Sequence, residues 1–441
     1  MSDAHGLAPR RAALGMIAAV LDDGRSLDAA KADAAMAALS GPERARAGDL
    51  AAATLRWLAP VDALLATLMR QPIAARAHVA RDALRLAAAE VGALGAAPHA
   101  AVDAAVRLTK ADRRAAPLAG LVNAVARRAA EAAPAHLADP AARAQAAPEW
   151  LMRRLRAEYG AAADAIAAAQ LTDASLDLTV RDPAEAALWS QRLGATPTPS
   201  GSLRLARGVQ LTALPGYAEG AWWAQDASAA IPARLMGAVA GKRVLDLCAA
   251  PGGKTMQLVA QGAQVTALDI SEARLARLRE NLARTGLEAE IVVADALEWR
   301  PDAPFDAVLL DAPFDAVLLD APCTATGTLR RHPDIAHLRR DSDLGPLVAL
   351  QDRMLDAAWG MVAPGGRLVF CTCSLLPQEG EARARAFRAR TPDAAAVPVT
   401  ADEVGDAALI GPGGWLRARP DFWPEIGGMD GFFAARFDRR A

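Results

Sequence analysis

The first third of the chain places apolar residues at helical spacing in an alanine-rich background. Between residues 9 and 131 these positions recur three and four residues apart, as Leu84, Ala88 and Val91 do. This spacing puts apolar side chains on one face of a helix. Because glycine and proline interrupt the pattern repeatedly, we expect an all-helical domain of several short helices, followed by a linker in the Pro/Ala-rich residues 132–148.

The pattern changes after residue 175. Leu176–Val180 and residues 202–206 are short β-like runs separated by prolines and a glycine, which fits a small mixed subdomain. After Gly241, predicted strands alternate with predicted helices. The strands are expected at residues 243–247, 264–269, 290–294, 315–319 and 367–371, and the helices near residues 255–260, 272–284 and 347–361.

This alternation predicts an α/β fold class. We expect a doubly wound, largely parallel Rossmann-like sheet, preceded by the all-helical domain and a small mixed α/β subdomain. The expected domain bounds are 1–135 for the helical part, 148–235 for the small subdomain and 236–441 for the sheet domain.

A nine-residue unit is duplicated inside the sheet domain. Residues 303–311 read APFDAVLLD, and residues 312–320 repeat the same letters. The unit is too short for a solenoid repeat, so we interpret it as an insertion by duplication. We expect the second copy, at Val317–Leu319, to form the strand and residues 301–311 to form an irregular excursion.

Composition and charge narrow the class of protein. The chain has 441 residues, 53% of them hydrophobic, and a net charge of −2, so we expect a globular protein of two or three domains. Neither a long uncharged apolar stretch nor a signal-like N-terminus is present, which predicts a cytoplasmic protein without membrane contact. Residues 1–160 hold 21 Lys/Arg against 16 Asp/Glu. Any nucleic-acid contact should therefore use the N-terminal part and local patches.

The four cysteines lack the spacing of a structural zinc site or a disulfide framework. We expect no metal and a monomer. Cys248 and Cys371 are interpreted as small buried apolar residues. Cys323 and Cys373 instead follow the fourth and fifth predicted strands, where catalytic groups tend to lie, and there they would converge on one pocket.

A turn of small residues follows the first predicted parallel strand. Such a turn lets backbone N–H groups and a helix N-terminus approach a ligand closely, although an ordinary tight turn remains an alternative. It is neither a dinucleotide fingerprint nor a triphosphate loop. The turn consists of Cys248, Ala249, Ala250, Pro251, Gly252, Gly253 and Lys254.

Two aspartates end the second and third predicted strands. Asp269 is placed to accept both hydroxyls of a ribose, and Asp295 to receive an adenine amino group. Each aspartate taken alone is equally well explained as a helix cap. Together, at successive strand ends, they favour an adenosyl ligand.

Three motifs in this order make the chain resemble a known family. The motifs are DLCAAPGGK at 246–254, DAPC at 320–323 and TCS at 372–374. They are similar to those of the RNA 5-methylcytosine methyltransferases of the RsmB/Nop family. The likeness extends to flanking elements at 214–229, 327–335 and 430–437, and the N-terminal stretch resembles the NusB-like domain fused to the RsmB branch. It is weakest over residues 160–210.

The resemblance implies S-adenosylmethionine as cofactor and RNA, in particular a cytidine of small-subunit ribosomal RNA, as substrate. It assigns to Cys373 the attack of a thiolate on carbon 6 of cytosine, which makes carbon 5 nucleophilic. By analogy Cys323 assists release of the product. Asp320 is suited to hold the cytosine amino group and ring nitrogen 3, and it is also expected among the cofactor-binding residues. Lys254 is one of only four lysines, and we expect it to lower a thiol pKa or to orient Asp320, unless it is a surface lysine.

Two other functions remain open at this stage. A non-catalytic RNA-binding or antitermination factor would account for the helical domain but not for the paired cysteines. A DNA cytosine methyltransferase would make Cys323 the attacking residue, whereas the TCS motif and the helical domain favour RNA. His332 is a candidate catalytic residue, but we expect it instead to shape an RNA-facing loop beside Arg330 and Arg331. We also expect Arg113, Arg114, Arg127 and Arg128 to add RNA affinity.

Overall fold

The computed structural model describes residues 4–206, 208–300 and 314–440, which belong to two units. The first, here called the helical unit, comprises Met1–Asp173 and Leu329–Asp341. The second, here called the sheet unit, comprises Ala174–Thr328 and Ser342–Ala441. The bounds 1–135, 148–235 and 236–441 remain predictions for the division into domains.

The helical unit contains only helices and connecting turns within its described residues, as predicted. Its helices are α1 (Ala4–Leu21), α2 (Leu27–Ala30), α3 (Ala34–Ala37), α4 (Gly41–Arg56), α5 (Leu58–Leu68), α6 (His78–Gly92), α7 (Pro98–Ala111), α8 (Ala119–Ala138), α9 (Pro140–Ala144), α10 (Glu149–Tyr159), α11 (Ala163–Gln170) and, later in the chain, α16 (Ile335–Leu338).

Alanine explains the close packing of this unit. In α6 the residues Ala80, Leu84 and Ala88 are completely buried, because small side chains let neighbouring helices approach closely. The predicted linker at residues 132–148 was wrong. Buried Ala133 and Leu137 continue the apolar face, so α8 extends to Ala138 and α9 follows at once. Tertiary packing here outweighs the proline inside α8.

A short segment from the second half of the chain, Leu329–Asp341, belongs to the helical unit. Asp334 accepts a hydrogen bond from the Leu27 backbone N–H (2.9 Å), and His337 Nε2 lies 2.8 Å from the Leu55 carbonyl oxygen. Arg330 is only 2% exposed. The Arg330 side chain is therefore buried within the protein, whereas the expected role of His332 in shaping an RNA-facing loop stays a prediction.

The sheet unit carries the described strands. They are β1 (Leu176–Val180), β2 (Thr196–Pro197), β3 (Leu203–Leu205), β4 (Trp222–Ala224), β5 (Arg243–Leu247), β6 (Gln264–Asp269), β7 (Glu290–Val293), β8 (Phe314–Asp320), β9 (Val362–Thr372), β10 (Ala394–Val397), β11 (Ile410–Gly411), β12 (Trp415–Ala418) and β13 (Phe432–Arg439). Its helices are α12 (Ala186–Leu193), α13 (Ile231–Arg234), α14 (Gly253–Ala260), α15 (Glu272–Thr285), α17 (Leu344–Gly360), α18 (Glu381–Arg390) and α19 (Ala401–Val404).

Two sheets form within this unit. The small sheet is antiparallel in the order β2-β3-β1-β4. The large sheet has the order β11-β12-β13-β9-β8-β5-β6-β7, with β10 beside β13. Its strands β9, β8, β5, β6 and β7 are parallel, and β13 runs antiparallel to β9. The chain thus winds outward from β5 in both directions, which confirms the doubly wound architecture.

The sequence of β8 explains why it lies in the middle of the sheet. Val317 and Leu319 are fully buried on one face, and Leu318 is fully buried on the other. Parallel strands covered on both faces read as continuous apolar runs. Val317 pairs with Leu245 of β5 and Leu368 of β9. The second copy of the duplicated unit therefore forms the strand, as predicted, whereas the excursion expected at residues 301–311 lies outside the described residues.

Within the part of the chain that the structure describes, neither a single membrane-spanning helix nor a metal-binding cluster is found. No single helix there is both long and apolar enough to cross a membrane, although α4 and α5, bent by 72° at their junction, pass that length and composition test as a pair. Within the same residues, no group of three or more His, Cys, Asp or Glu side chains is arranged to hold a metal ion.

Candidate active site

The candidate site lies where the winding direction of the large sheet reverses, between β5 and β8. At such a point the loops that follow neighbouring parallel strands diverge and leave a crevice at their carboxyl ends. Here the turn after β5 lies beside the ends of β8 and β9. We call residues 321–328 after β8 the Cys323 loop, and residues 373–379 after β9 the Cys373 loop.

The turn after β5 combines strained backbone with small side chains. Cys248 adopts φ +60° and Gly252 φ +104°, after which α14 begins at Gly253. A Cβ at Gly252 would lie 2.1 Å from Leu278 Cδ1, so only glycine fits there. Burial raises the pKa of the Cys248 thiol well above its ordinary value. This neutral thiol matches the predicted small apolar residue.

A buried carboxylate beneath this turn was not among the residues singled out from the sequence. Asp246 is 1% exposed, and its Oδ2 accepts a hydrogen bond from the Thr255 hydroxyl (2.6 Å). Its Oδ1 has no hydrogen-bond partner among the described residues. Burial raises the pKa of Asp246 to about 7. The available signal was an acidic residue inside an otherwise apolar strand.

Of the two aspartates expected to bind an adenosyl group, Asp269 ends β6 as anticipated, whereas Asp295 lies two residues after the end of β7. Both have local partners. Asp269 is 1% exposed, and its carboxylate accepts from the backbone N–H groups of Ala250 (3.2 Å) and Ser271 (2.9 Å). It therefore connects β6 to the turn after β5. Asp295 is half-buried and accepts from the Leu297 N–H (2.9 Å) within its own turn. Among the described residues, Asp269 is thus hydrogen-bonded to the turn after β5, whereas the hydrogen bond of Asp295 stays within its own turn.

The two cysteines meet although they are fifty residues apart in sequence. Cys323 Sγ and Cys373 Sγ are separated by 3.5 Å. Cys323 is 7% exposed, whereas Cys373 is half-buried. Contact with Cys373, burial and the negative charge of Glu379 raise the pKa of the Cys323 thiol well above its ordinary value. Cys373 is thus the more exposed residue of the pair.

An ion pair joins the turn after β5 to the end of β8. Lys254 Nζ donates to Asp320 Oδ2 at 2.7 Å and lies 5.0 Å from the centre of the Phe432 ring. Burial alone would lower the pKa of Lys254, but Asp320 outweighs it and the pKa is raised. The Asp320 side chain remains 30% exposed. Cys371 lies behind it, with Sγ 3.7 Å from Asp320 Oδ1.

This geometry brings most of the predicted residues together. The turn carrying Lys254 meets Asp320 of β8, and the adjacent loops supply Cys323 and Cys373. Lys254 is not a free surface lysine, since its side chain is only 11% exposed. Phe432 was missed as a site residue, although it lies in one of the stretches that resemble the family.

Comparison with known proteins gives matches to both parts of the chain. Residues 233–438 match the family model described as 16S rRNA methyltransferase RsmB/F, and residues 7–131 match the NusB family. The ribosomal RNA small subunit methyltransferase B of Xanthomonas campestris pv. campestris is 39% identical over 98% of this chain and 97% of its own length. The protein of the same name from Pseudomonas putida is 36% identical, over 97% and 98%.

A solved structure is similar to part of the chain. The methyltransferase homologue protein from Pyrococcus horikoshii has 24% sequence identity and a TM-score of 0.52, over 65% of this chain and 93% of that one. At this level of identity the likeness concerns the fold alone. It agrees with the doubly wound sheet described above.

Proposed function

Since the chain belongs to the RsmB/F family of 16S rRNA methyltransferases, we propose that it transfers a methyl group from S-adenosylmethionine to carbon 5 of a cytidine in small-subunit ribosomal RNA. The observation that carries the proposal is the pair of thiols 3.5 Å apart, beside a partly exposed carboxylate at the carboxyl ends of two parallel strands. Two such thiols suit a reaction in which one group attacks a ring carbon and another handles the proton at the neighbouring carbon.

The turn after β5 fits the cofactor. Its backbone approaches a ligand without obstruction from large side chains, and α14 directs its N-terminus toward the crevice end of the sheet. Asp246 contributes an unpartnered buried oxygen directly beneath it. Residues 248–254 with Asp269 and Asp295 would hold S-adenosylmethionine, which supplies an electrophilic methyl group when bound.

Cys373 acts as the nucleophile in this proposal. Its thiolate attacks carbon 6 of the cytosine, a carbon–sulfur bond forms, and electron density moves to carbon 5. Carbon 5 then takes the methyl group as the bond from that group to the sulfonium sulfur breaks, and S-adenosylhomocysteine is the leaving group. A base removes the proton from carbon 5, and the electron pair left there expels the Cys373 thiolate and restores the aromatic ring. The greater exposure of Cys373 supports this assignment.

Cys323 and Asp320 serve the two proton transfers. A buried thiol of raised pKa is neutral at pH 7, so Cys323 does not start the reaction as a thiolate. Once Cys373 is bonded to carbon 6, its contact no longer raises the pKa of Cys323, which can lose its proton to solvent and then accept the proton from carbon 5. Asp320 uses one oxygen for Lys254 and remains accessible to the cytosine amino group and ring nitrogen 3. Lys254 therefore serves as the group that orients Asp320.

The experiment that tests the proposal identifies the methylated nucleoside. Unmodified small-subunit rRNA made by transcription is incubated with the protein and methyl-labelled S-adenosylmethionine, then digested and analysed by mass spectrometry. We expect 5-methylcytidine, with free rRNA a better substrate than assembled subunits. DNA of the same sequence is the control and should remain unlabelled. Label in any other nucleoside, or preferential labelling of the DNA, would reject the proposal.

The helical unit is proposed to add RNA affinity. Arg113, Arg114, Arg127 and Arg128 are all exposed, around the end of α7 and along α8. Each arginine that no longer neutralises a phosphate should reduce the salt dependence of binding by about 0.9 in log–log slope. A variant with all four arginines changed to glutamine should therefore bind rRNA more weakly and with a shallower slope, while its affinity for S-adenosylmethionine is unchanged. An unaltered slope would remove this role.

A further inference from the structure

A buried carboxylate of the sheet unit lies beneath the two cysteine loops. Glu379 ends the short turn Pro377–Glu379, six residues after Cys373, and its side chain is completely buried. Among the described residues no cationic side chain forms an ion pair with it. A buried carboxylate without a counter-ion persists only where several hydrogen bonds stabilise it, so the partners of Glu379 define what it does.

Those partners come from both cysteine loops. Glu379 Oε1 accepts a hydrogen bond from the backbone N–H of Thr324 (2.8 Å), and Oε2 accepts from the Thr324 hydroxyl. Oε2 also accepts from the Ser374 hydroxyl (2.6 Å). Thr324 directly follows Cys323, and Ser374 directly follows Cys373. One carboxylate thus holds the residue next to each sulfur.

Other hydrogen bonds between the loops surround this carboxylate. The Gly327 backbone N–H donates to the Cys373 carbonyl oxygen (2.9 Å), and the Leu375 N–H donates to Thr326 Oγ1 (3.0 Å). Gln351 of α17 donates through Nε2 to Glu379 Oε1 (3.1 Å) and to the Pro322 carbonyl oxygen (2.9 Å). The Glu379 carboxylate is therefore hydrogen-bonded to α17 as well as to both cysteine loops.

We propose that Glu379 is a positioning residue that sets the separation of the two cysteine sulfurs. It touches neither sulfur, and it acts by fixing the backbone on which each one is carried. The inference rests on the proposed function, because that function requires both thiols to reach adjacent carbons of one base. A displacement of about 1 Å of a reacting group costs on the order of a hundredfold in rate.

Three substitutions separate geometry from charge. Glu379→Gln keeps the shape: its amide oxygen can accept from Thr324 and Gln351, and its amide nitrogen can donate to the two hydroxyl oxygens. Glu379→Asp keeps the charge but is one methylene shorter, so it cannot reach both loops. Glu379→Ala removes every one of these hydrogen bonds. If position rather than charge matters, Gln should preserve function and Asp should not.

The test uses the full-length protein and two readouts. In the first, kcat and KM for 5-methylcytidine formation are measured. We expect Glu379→Asp and Glu379→Ala to lower kcat about a hundredfold with KM for rRNA and for S-adenosylmethionine little changed, and Glu379→Gln to keep most of the wild-type kcat. In the second, diamide oxidises the two thiols, and the rate of Cys323–Cys373 disulfide formation is followed by mass spectrometry. The rate of disulfide formation should fall in Glu379→Asp and Glu379→Ala but not in Glu379→Gln.

The rate of disulfide formation tests this inference independently of the proposed function, because the oxidation requires no methyl transfer. A wild-type protein that makes no 5-methylcytidine while its disulfide rate depends on Glu379 would reject the function and keep the inference. Unchanged disulfide rates and kcat in Glu379→Asp would overturn the inference, as would a Gln variant as impaired as Ala. Should the Ala variant not fold, the Asp and Gln pair decides. Glu403→Ala is the matched control. Glu403 lies on α19 of the same unit and pairs with Arg436 of β13, and its removal should leave both readouts unchanged.

Discussion

The Cys323 loop and the Cys373 loop carry the same reactive group in different surroundings. Cys323 is buried and its thiol pKa is raised, partly through contact with Cys373, whereas Cys373 is accessible at the crevice. The two sulfurs are nonetheless only 3.5 Å apart. Burial and neighbouring charges thus give two chemically identical side chains different surroundings, which supports the different roles proposed for them.

The position of Cys323 relative to Cys373 depends on which copy of the duplicated unit forms β8. Substitutions that distinguish the two copies should have the largest effect. Val317→Asp should destabilise the fold by at least about 3 kcal/mol, because it buries an unpaired charge in the middle of the sheet. Val308→Asp, the same substitution in the first copy, should leave stability within about 0.5 kcal/mol. Urea denaturation of both variants measures the difference. Equal destabilisation would contradict a special role for the second copy.

Substitution of Asp320, which pairs with Lys254 of the turn after β5, should have the second-largest effect. Asp320→Asn keeps the shape of the side chain but removes the negative charge that pairs with Lys254 and that would favour the protonated adduct. We expect kcat to fall by about 10²- to 10⁴-fold. The affinity for S-adenosylmethionine, measured by calorimetry, should change much less. A reduced affinity with an unchanged kcat would show that Asp320 belongs to the cofactor site instead.

The thiols themselves are distinguished by their reactivity. Iodoacetamide reacts with the thiolate, and each unit by which a pKa is raised lowers the thiolate fraction at a given pH about tenfold. The raised pKa of Cys323 keeps it protonated at pH 8, so Cys373 should be alkylated first. Peptide mapping after brief treatment checks this order. The difference should narrow as the pH rises toward the pKa of Cys323, and faster labelling of Cys323 at pH 8 would reverse the comparison.

The smallest effect is expected from deletion of residues 303–311. The two copies are identical, so the shortened chain retains one complete unit before Asp320 and Cys323. Shortening a connection of this length changes stability by less than about 1 kcal/mol. We expect activity to be kept and soluble yield to be equal or better, because one apolar β-prone segment has been removed. A clear loss of activity or yield would show that the first copy is required.

Most of the fold was predictable because the relevant signals are local. The apolar run at Val317–Leu319 predicts a buried parallel strand, and helical spacing predicts α6. The supposed linker at residues 132–148 failed because burial of Ala133 and Leu137 depends on partners that are distant in sequence. The burial of the Arg330 side chain was not predictable for the same reason, since charge alone does not reveal that a side chain is buried.

Some residues of the candidate site were predictable from the sequence, and others were not. The convergence of Cys323 and Cys373 followed from strand order, and the position of Lys254 allowed its pairing with Asp320. Glu379 gave no comparable signal, because an acidic residue in a short turn is ordinarily solvated. Only the fold shows that it reaches the backbone beside both sulfurs.

The most direct measurement is covalent trapping with 5-fluorocytidine rRNA. Fluorine at carbon 5 cannot be removed as a proton, so the adduct persists once methyl transfer has occurred. Intact mass and peptide mapping would compare the wild type with Cys373→Ala and Cys323→Ala, alongside turnover on ordinary rRNA. We expect both variants to lose at least about a thousandfold in turnover. Cys373→Ala should form no adduct, whereas Cys323→Ala should accumulate one through Cys373, even with unsubstituted rRNA. An adduct in Cys373→Ala together with its absence in Cys323→Ala would contradict the assignment of the two cysteines.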